Sequence, residues 1–314
     1  MGPDVSAPTS LAEAAACRAA GAPPRTIRRF STGLDHYVFE ATFADRPPLV
    51  VRLGDPHRRA RMAAGLRLHA ALRDRGVPLP EIVAAALDDP WPWIVLERLA
   101  GTDLGAVIDG LSQPILERIA ARVSDAQAIV ATLPSAGRYG YAADPYGAPL
   151  ATWSRVLDAN LARARPRLLA TRLFDPSVVD VVAHRVGDLR SRLDALPAVP
   201  FLHDTTTKNV IVTDDGVFSG IVDVDDLCFG DPRYAPALTL AALLASRSPT
   251  AYVDHWMQHA RFRDDAVFRL YVALFLVDLM SEHGQRFNDN PPPSTETRRA
   301  ILREAFTDAL RRID

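Results

Sequence analysis

Two carboxylates and one amide border short apolar runs in the middle of the chain. Asp204 and Asp223 each follow such a run, and Asn209 immediately precedes another. The triplet Asp214-Asp215-Gly216 predicts a tight turn, so that Asn209 and Asp223 lie at the same end of a short hairpin. Magnesium-dependent phosphoryl transfer needs such a set, because one group orients the hydroxyl nucleophile and two others hold the metal that neutralises the phosphates.

Turn capping is the alternative role for these side chains, because Asp and Asn commonly cap turns. It accounts well for Asp214 and Asp215. It accounts poorly for Asp223, which lies within a β-branched run. The same loop contains Lys208, the only lysine of the chain. Lys208 is interpreted either as a cation that reaches the transferring phosphoryl group or as an exposed loop lysine.

The surrounding patterns predict the elements that must position this loop. Before Gly101, five strand-like runs and one helical run predict a five-stranded antiparallel sheet with an inserted helix. The strands are expected at 27–30, 37–43, 49–53, 82–87 and 93–99, and the helix at 58–75. From Leu104 onward the pattern is mostly helical, interrupted by the hairpin. The apolar run 268–280 is too short to span a bilayer and is expected to be a buried helix.

The segment from Asp204 to Pro232 resembles the catalytic core of the aminoglycoside phosphotransferase and choline-kinase-like group, whose fold is that of protein kinases. The family pattern is an Asp, an Asn five residues later, a hairpin, an Ile-Asp pair and then Gly-Asp-Pro. The chain has Val222 in place of the Ile and ends the pattern with Gly230-Asp231-Pro232. The resemblance implies that Asp204 is the catalytic base, that Asn209 and Asp223 bind Mg²⁺, and that ATP or GTP is the phosphoryl donor.

Three upstream pieces extend the resemblance. The loop that contains Gly33 resembles the family's phosphate loop, and Arg52 occupies the place of the basic residue that contacts the α and β phosphates. Residues 94–101 resemble the hinge, where backbone atoms of Glu97 and Leu99 would meet the purine. The resemblance implies an α+β, protein-kinase-like two-lobe fold, with a small antiparallel-sheet N-lobe and a large helical C-lobe.

The lobes are expected to divide the work of the enzyme. Residues 1–100 are predicted to form the nucleotide-binding lobe, with a hinge near residues 97–101. Residues 101–314 are predicted to carry the catalytic loop, the metal site and the acceptor site. Asp231 is interpreted as a structural brace for the catalytic loop.

The chain departs from the family pattern at the partner of Arg52. Protein kinases and many relatives pair the cation of the third strand with a Glu on the following helix. No Glu occurs between Glu40 and Glu81, and Gly65 stands where that acid is expected. Either another group compensates or the nucleotide alone holds Arg52. His203, where many relatives have Gly, is either a cation beside the carboxylates or a packed histidine.

The acceptor is expected to be a small molecule with a hydroxyl group. By resemblance, aminoglycosides or similar amino sugars are favoured, and Asp225, Asp226, Asp278 and Glu282 are candidates for binding ammonium groups. Macrolides, choline-like amines and metabolite sugars remain open, and scattered helix acids are also typical of solvated faces. A kinase-shaped nucleotide sensor or scaffold without turnover is the second hypothesis, favoured by the missing helix Glu.

Composition excludes other classes of function. The 314 residues carry a net charge of −2 and show no basic stripe, so binding to nucleic acid is not expected. The N-terminus has no basic region followed by an apolar stretch, so no signal peptide is predicted. Cys17 and Cys228 match no metal spacing and are expected to be reduced thiols, so a cytoplasmic location is predicted. No membrane partner is expected, and the sequence indicates no oligomeric state.

Overall fold

An antiparallel sheet forms the N-terminal part of the protein. The computed structural model describes residues 9–30, 36–285 and 294–313. The sheet has the order β1-β2-β3-β5-β4. Its strands are β1 (Thr26–Arg29), β2 (Tyr37–Thr42), β3 (Leu49–Leu53), β4 (Ile82–Ala86) and β5 (Trp93–Glu97). The predicted five-stranded antiparallel sheet is therefore confirmed.

Two helices cover this sheet. Helix α1 (Thr9–Ala20) packs three small buried residues, Ala12, Ala15 and Ala16, against the apolar core of the strands. Helix α2 (Arg59–Asp74), the predicted inserted helix, packs Met62 with β5 residues in a separate small cluster. Burial of one apolar stripe on each helix stabilises the lobe, because an isolated sheet would expose both faces to water.

Helices dominate the rest of the chain, as the sequence predicts, and they surround the largest apolar core. That core includes almost the whole of α9, which contains the apolar run 268–280. No helix within the described residues is long and apolar enough to cross a membrane. The helices are α3 (Leu104–Val107), α4 (Gln113–Val130), α5 (Trp153–Thr171), α6 (Ser177–Asp194), α7 (Tyr234–Ser246), α8 (Ala251–His259), α9 (Ala266–Glu282) and α10 (Glu296–Arg311).

Two small sheets lie among these helices. In one, the predicted hairpin of β9 (Val210–Val212) and β10 (Phe218–Ile221) gains a third strand, β6 (Thr102–Asp103). The other sheet, which the sequence analysis did not predict, has the order β7-β11-β8. Its strands are β7 (Gly140–Ala142), β8 (Val199–Phe201) and β11 (Leu227–Gly230). The second sheet pairs β8 and β11, the strands on either side of the segment that contains Asp204 and Asp223, and the first sheet holds the hairpin within that segment.

The hairpin of β9 and β10 contacts the hinge on one side and the segment after α2 on the other. Gly101 has a φ of 101°, and a Cβ atom there would lie 2.0 Å from the carbonyl oxygen of Val212. Only glycine therefore allows the hinge to approach the hairpin so closely. On the other side, the amide of Ile221 donates a hydrogen bond of 2.8 Å to the carbonyl of Pro78, which follows α2. The hairpin is thus fixed to both lobes.

A buried polar network supports β11 from behind. Asp231 accepts hydrogen bonds from the hydroxyl of Tyr271 at 2.9 Å and from the guanidinium of Arg233 at 2.7 Å. Trp153 donates in turn to the Tyr271 oxygen at 2.7 Å. The network joins the end of β11 to α5 and α9, in agreement with a bracing role for Asp231.

Gln127 of α4 anchors the start of the loop 203–209, which we call the catalytic loop. Its side-chain amide donates to the carbonyl of Leu202 at 2.8 Å and to the hydroxyl of Thr205 at 3.1 Å. Its carbonyl oxygen accepts from the amide of Leu202 at 2.9 Å. All three residues are buried. Gln127 therefore satisfies backbone groups that no strand or helix pairs.

We expect Gln127→Leu to lower the free energy of unfolding by about 1–3 kcal/mol, because it leaves both backbone groups of buried Leu202 unpaired. The matched control is Gln113→Leu, at the exposed start of the same helix, which should change stability by about 0.5 kcal/mol or less. Urea denaturation measures both. Equal stability of the two variants would contradict the anchoring role.

Candidate functional site

The catalytic loop holds Asp204 and Asn209 in fixed relation. The Asn209 side-chain amide donates to the backbone carbonyl of Asp204 at 2.9 Å, and the Thr206 hydroxyl donates to Asp204 Oδ1 at 2.9 Å. Among the described residues, Asn209 Oδ1 and Asp204 Oδ2 accept no hydrogen bond. One oxygen on each side chain is therefore available, either to a hydroxyl group or to a metal ion.

Asp223 lies next to Asn209 because the hairpin brings their backbones together. The amide of Val222 donates to the carbonyl of Asn209 at 2.9 Å, directly beyond the pairing of Ile221 with Val210. Asp223 itself has a φ of 63°, in the left-handed region that few non-glycine residues occupy. This backbone conformation ends β10 and turns the chain toward the N-lobe. The hairpin thus brings Asn209 and Asp223 together, as the sequence predicted.

The electrostatics of Asp223 fit an ion-binding position. Enclosure by the surrounding protein raises the pKa of its carboxyl, Asp225 and Asp204 raise it further, and Arg52 opposes the rise. Closely spaced carboxylates repel one another unless a cation separates them. Arg52 is one such cation next to Asp223, and a bound metal ion would reduce the repulsion further.

Arg52, on β3 of the N-lobe, pairs with two of these carboxylates. Its Nη2 donates to Asp223 Oδ1 at 2.9 Å and to Asp225 Oδ2 at 2.8 Å. Its side chain is 7% exposed and that of Asp225 is 21% exposed, so this pair is largely shielded from water, whereas the Asp223 carboxylate is about half-exposed. The compensating group that the sequence analysis left open is therefore present: Asp225 pairs with Arg52.

Asp225 also contacts His36, at the start of β2. His36 Nε2 lies 2.9 Å from Asp225 Oδ2. Burial raises the pKa of Asp225, but Arg52 and His36 together lower it well below its usual range. His36 was not predicted to be a site residue. Its place within the stretch that resembles the phosphate loop was the available signal, but a single histidine does not by itself distinguish a binding role from ordinary packing.

Asp226 belongs to a neighbouring group. Its Oδ2 pairs with Arg61 of α2 at 3.2 Å, and its Oδ1 lies 3.5 Å from His203 Nδ1. His203 packs edge-on against Tyr141, with ring centroids 4.8 Å apart. His203 is thus packed against an aromatic ring and lies close to one carboxylate, and the role of a cation beside the carboxylates stays a prediction. The acceptor role of Asp226 stays a prediction.

The hinge leaves one backbone donor available, and purine binding there stays a prediction. Glu97 ends β5, and the backbone amide of Leu99 donates no hydrogen bond to any residue that the structure describes. The guanidinium of Arg98 donates to the carbonyls of Leu99 and Gly101, which holds the hinge backbone in shape. Gly33, predicted to lie in the phosphate loop, falls outside the described residues.

Glu282, at the end of α9, lies near Lys208 of the catalytic loop and away from Arg52. Burial, together with Asp278 one helical turn earlier, raises the pKa of Glu282 to about 7, against the opposing effect of Lys208 and the α5 arginines Arg163 and Arg167. Asp278 pairs with Arg163 at 3.3 Å. Lys208 is exposed and near enough to influence Glu282. The structure thus brings together the end of α9, α5 and the catalytic loop.

A magnesium ion fits the available oxygens only if it shares ligands with a phosphate. In the described parts of the chain, no group of three His, Cys, Asp or Glu side chains is placed to hold a metal. Asn209 Oδ1 and the Asp223 carboxylate would supply two protein ligands. Mg²⁺ is usually bound by one or two carboxylates together with substrate phosphates and water. The donor set suits that mode and would not suit a metal enclosed by protein.

Comparison with solved structures supports the fold. Aminoglycoside phosphotransferase APH(4)-Ia, in a ternary complex with AMP-PNP and hygromycin B, is 18% identical, with a TM-score of 0.65 over 96% of this chain and 98% of that chain. A protein assigned as a fructosamine-3-kinase from Thermobifida fusca YX-ER1 is 16% identical, with a TM-score of 0.61 over 96% and 97%. ADP-bound APH(2'')-Ib is 11% identical, with a TM-score of 0.59 over 92% and 95%.

At these identities the structures establish the protein-kinase-like fold and nothing finer. No curated protein sequence matches the chain. The family assignment comes from a different comparison, in which a model of the phosphotransferase enzyme family matches residues 26–271. That range includes β1 through part of α9 and contains every residue of the cluster around Asp223. The predicted small-molecule kinase class is confirmed, and the chain belongs to the phosphotransferase enzyme family.

Proposed function

We propose that the protein transfers the γ-phosphoryl group of ATP or GTP to a hydroxyl group of a small molecule, with Mg²⁺ bound between Asn209, Asp223 and the phosphates. The observation that carries the proposal is the grouping of Asp204, Asn209 and Asp223 at one end of the hairpin, with Arg52 facing them from the N-lobe. When bound, Mg²⁺ would neutralise charge on the phosphates.

Separate residues of the chain would orient the acceptor hydroxyl, contact the phosphates and bind the purine. Asp204 would accept the hydrogen bond of the attacking hydroxyl, since its Oδ2 is available and Thr206 fixes its other oxygen. Arg52 would contact the α and β phosphates, and the free amide of Leu99 would donate to the purine. Lys208 would approach the transferring phosphoryl group from the acceptor side.

The acceptor would carry an amino group. Asp278 and Glu282 stand in the last turns of α9, where the helix dipole disfavours negative charge, and like charges four residues apart repel each other. This arrangement costs stability, so a functional reason is expected. An ammonium group on the acceptor would remove the repulsion. We therefore propose Glu282, with Asp278, as the site that recognises an amine of an aminoglycoside-like antibiotic or amino sugar.

Phosphoryl transfer itself tests the proposal. Candidate acceptors are incubated with Mg²⁺ and ATP or GTP and examined for a mass gain of about 80 Da, the mass of one transferred group. The panel includes hygromycin B, a fructosamine, choline and a neutral sugar, so that acceptors with and without an amine are compared. Transfer that stops on chelation of Mg²⁺ supports the proposal. Nucleotide binding without transfer to any acceptor would instead favour the sensor or scaffold hypothesis.

Asp204→Asn should lower turnover by about 10²–10⁴, because the variant no longer accepts the hydroxyl proton. Nucleotide affinity should be almost unchanged. The control is Asp214→Asn, at the exposed turn of the hairpin, which should retain full turnover. Steady-state kinetics and calorimetry of nucleotide binding separate the two effects. Full activity of Asp204→Asn would remove Asp204 from the role of base.

Acceptor binding should depend on pH through Glu282. Because the pKa of Glu282 is raised to about 7, the carboxylate that attracts an ammonium group forms only as the pH rises through that value. For an amine acceptor, KM should fall roughly tenfold between about pH 6 and pH 8, in proportion to the ionised fraction. Glu282→Gln should raise KM and remove this dependence.

The matched control for Glu282 is Glu117→Gln, on the exposed face of α4, which should keep both the KM and its pH profile. A pH profile that survives in Glu282→Gln would assign the titration to another group. A KM for the amine acceptor that Glu282→Gln leaves unchanged would contradict the proposed recognition site.

A further inference from the structure

Arg52 has carboxylate partners even though α2 carries no Glu. Besides the predicted metal ligand Asp223, it pairs with Asp225, which lies two residues later on the C-lobe side. Arg52 Nη2 lies 2.8 Å from Asp225 Oδ2, and the two side chains are 7% and 21% exposed. A buried guanidinium without a counter-charge would be strongly destabilising. The pair therefore fixes where Arg52 can lie before any nucleotide binds.

The absence of a side chain at Gly65 lets the backbone of Asp225 lie against α2, close to Arg52. A Cβ atom on Gly65 would lie 3.1 Å from the Asp225 carbonyl oxygen, 3.2 Å from its Cα and 3.3 Å from its Oδ1. The segment after Asp223 therefore packs directly on the surface of α2, at the position where the family pattern has an acid. A side chain at residue 65 would compete with Asp225 for the space.

His36, immediately before β2, also contacts Asp225. Its Nε2 contacts the same oxygen of Asp225, at 2.9 Å. Asp225 thus joins β2, β3 and the segment after β10 at a single carboxylate. Asp223 and Asp225 are separated only by buried Val224, so a displacement of one is transmitted to the other.

We infer that Asp225 is the positioning residue for Arg52 and takes the place of the acid that α2 lacks. This inference rests on the proposed function and replaces the acceptor role predicted for Asp225. Asp225 holds the guanidinium so that it faces the α and β phosphates. In this protein the phosphate-binding cation and the metal ligand Asp223 are therefore aligned by one short segment, and α2 contributes space but no charge.

A double-mutant cycle tests the inference. The variants are Asp225→Asn, Arg52→Met and their combination, and the probes are ADP or GDP with Mg²⁺, whichever the unaltered protein binds more tightly, and the corresponding nucleoside. Asp225→Asn should weaken nucleotide binding about tenfold by calorimetry and leave nucleoside binding unchanged, because only the phosphates contact Arg52. In the Arg52→Met background, Asp225→Asn should cause no further loss.

Two results would overturn the inference: an equal loss of affinity for nucleotide and nucleoside, or the same loss in both backgrounds. Asp89→Asn is the control, since Asp89 pairs with Arg18 outside the cleft, and it should keep full affinity. If thermal denaturation shows that Asp225→Asn is unfolded, Asp225→Glu replaces it. That variant keeps the charge and should bind nucleotide more tightly than Arg52→Met, and affinity as low as in Arg52→Met would refute the role. Failure of the unaltered protein to bind either nucleotide would refute the proposed function itself.

Discussion

A buried positive charge between the lobes governs the organisation of this protein. Arg52 lies in a β-strand with apolar neighbours, and Asp223 and Asp225 stabilise its guanidinium there by accepting hydrogen bonds from it. Those carboxylates belong to the segment that follows β10. The interaction therefore requires the N-lobe sheet and the C-lobe hairpin to approach each other, and it places the cation next to the residues that would bind metal.

The rest of the site follows from short connections. The catalytic loop spans few residues between β8 and β9, and Gln127 pairs with its first backbone groups. The hairpin then returns Asp223 to the side of Asn209. Because these connections are short and anchored in a large apolar core, the three chemical groups have little freedom to separate. Such preorganisation reduces the reorganisation that a reaction would otherwise require.

The two sides of the catalytic loop differ in charge and exposure. On the side of the N-lobe, the charges have close partners in the contacts of Arg52 with two carboxylates and of Asp226 with Arg61. On the side of α9, burial and a neighbouring acid raise the pKa of Glu282 to about 7, and the cations around it only partly offset this rise. The first arrangement suits a ligand of constant charge. The second is incompletely neutralised and is where an acceptor of opposite charge would be favoured.

The sequence by itself determined the elements and the chemistry that depend on local pattern. Strand-like runs separated by turn residues predicted the N-terminal sheet, and the spacing of Asp204, Asn209 and Asp223 predicted their grouping, since a tight turn leaves few other geometries. The strands of the β7-β11-β8 sheet were not predicted, because runs of three or four buried residues carry no distinguishable period. The partner of Arg52 was likewise beyond the sequence, since Asp225 is 173 residues away. Only tertiary packing, with Gly65 leaving room for the backbone of Asp225, decided which carboxylate would neutralise the buried arginine.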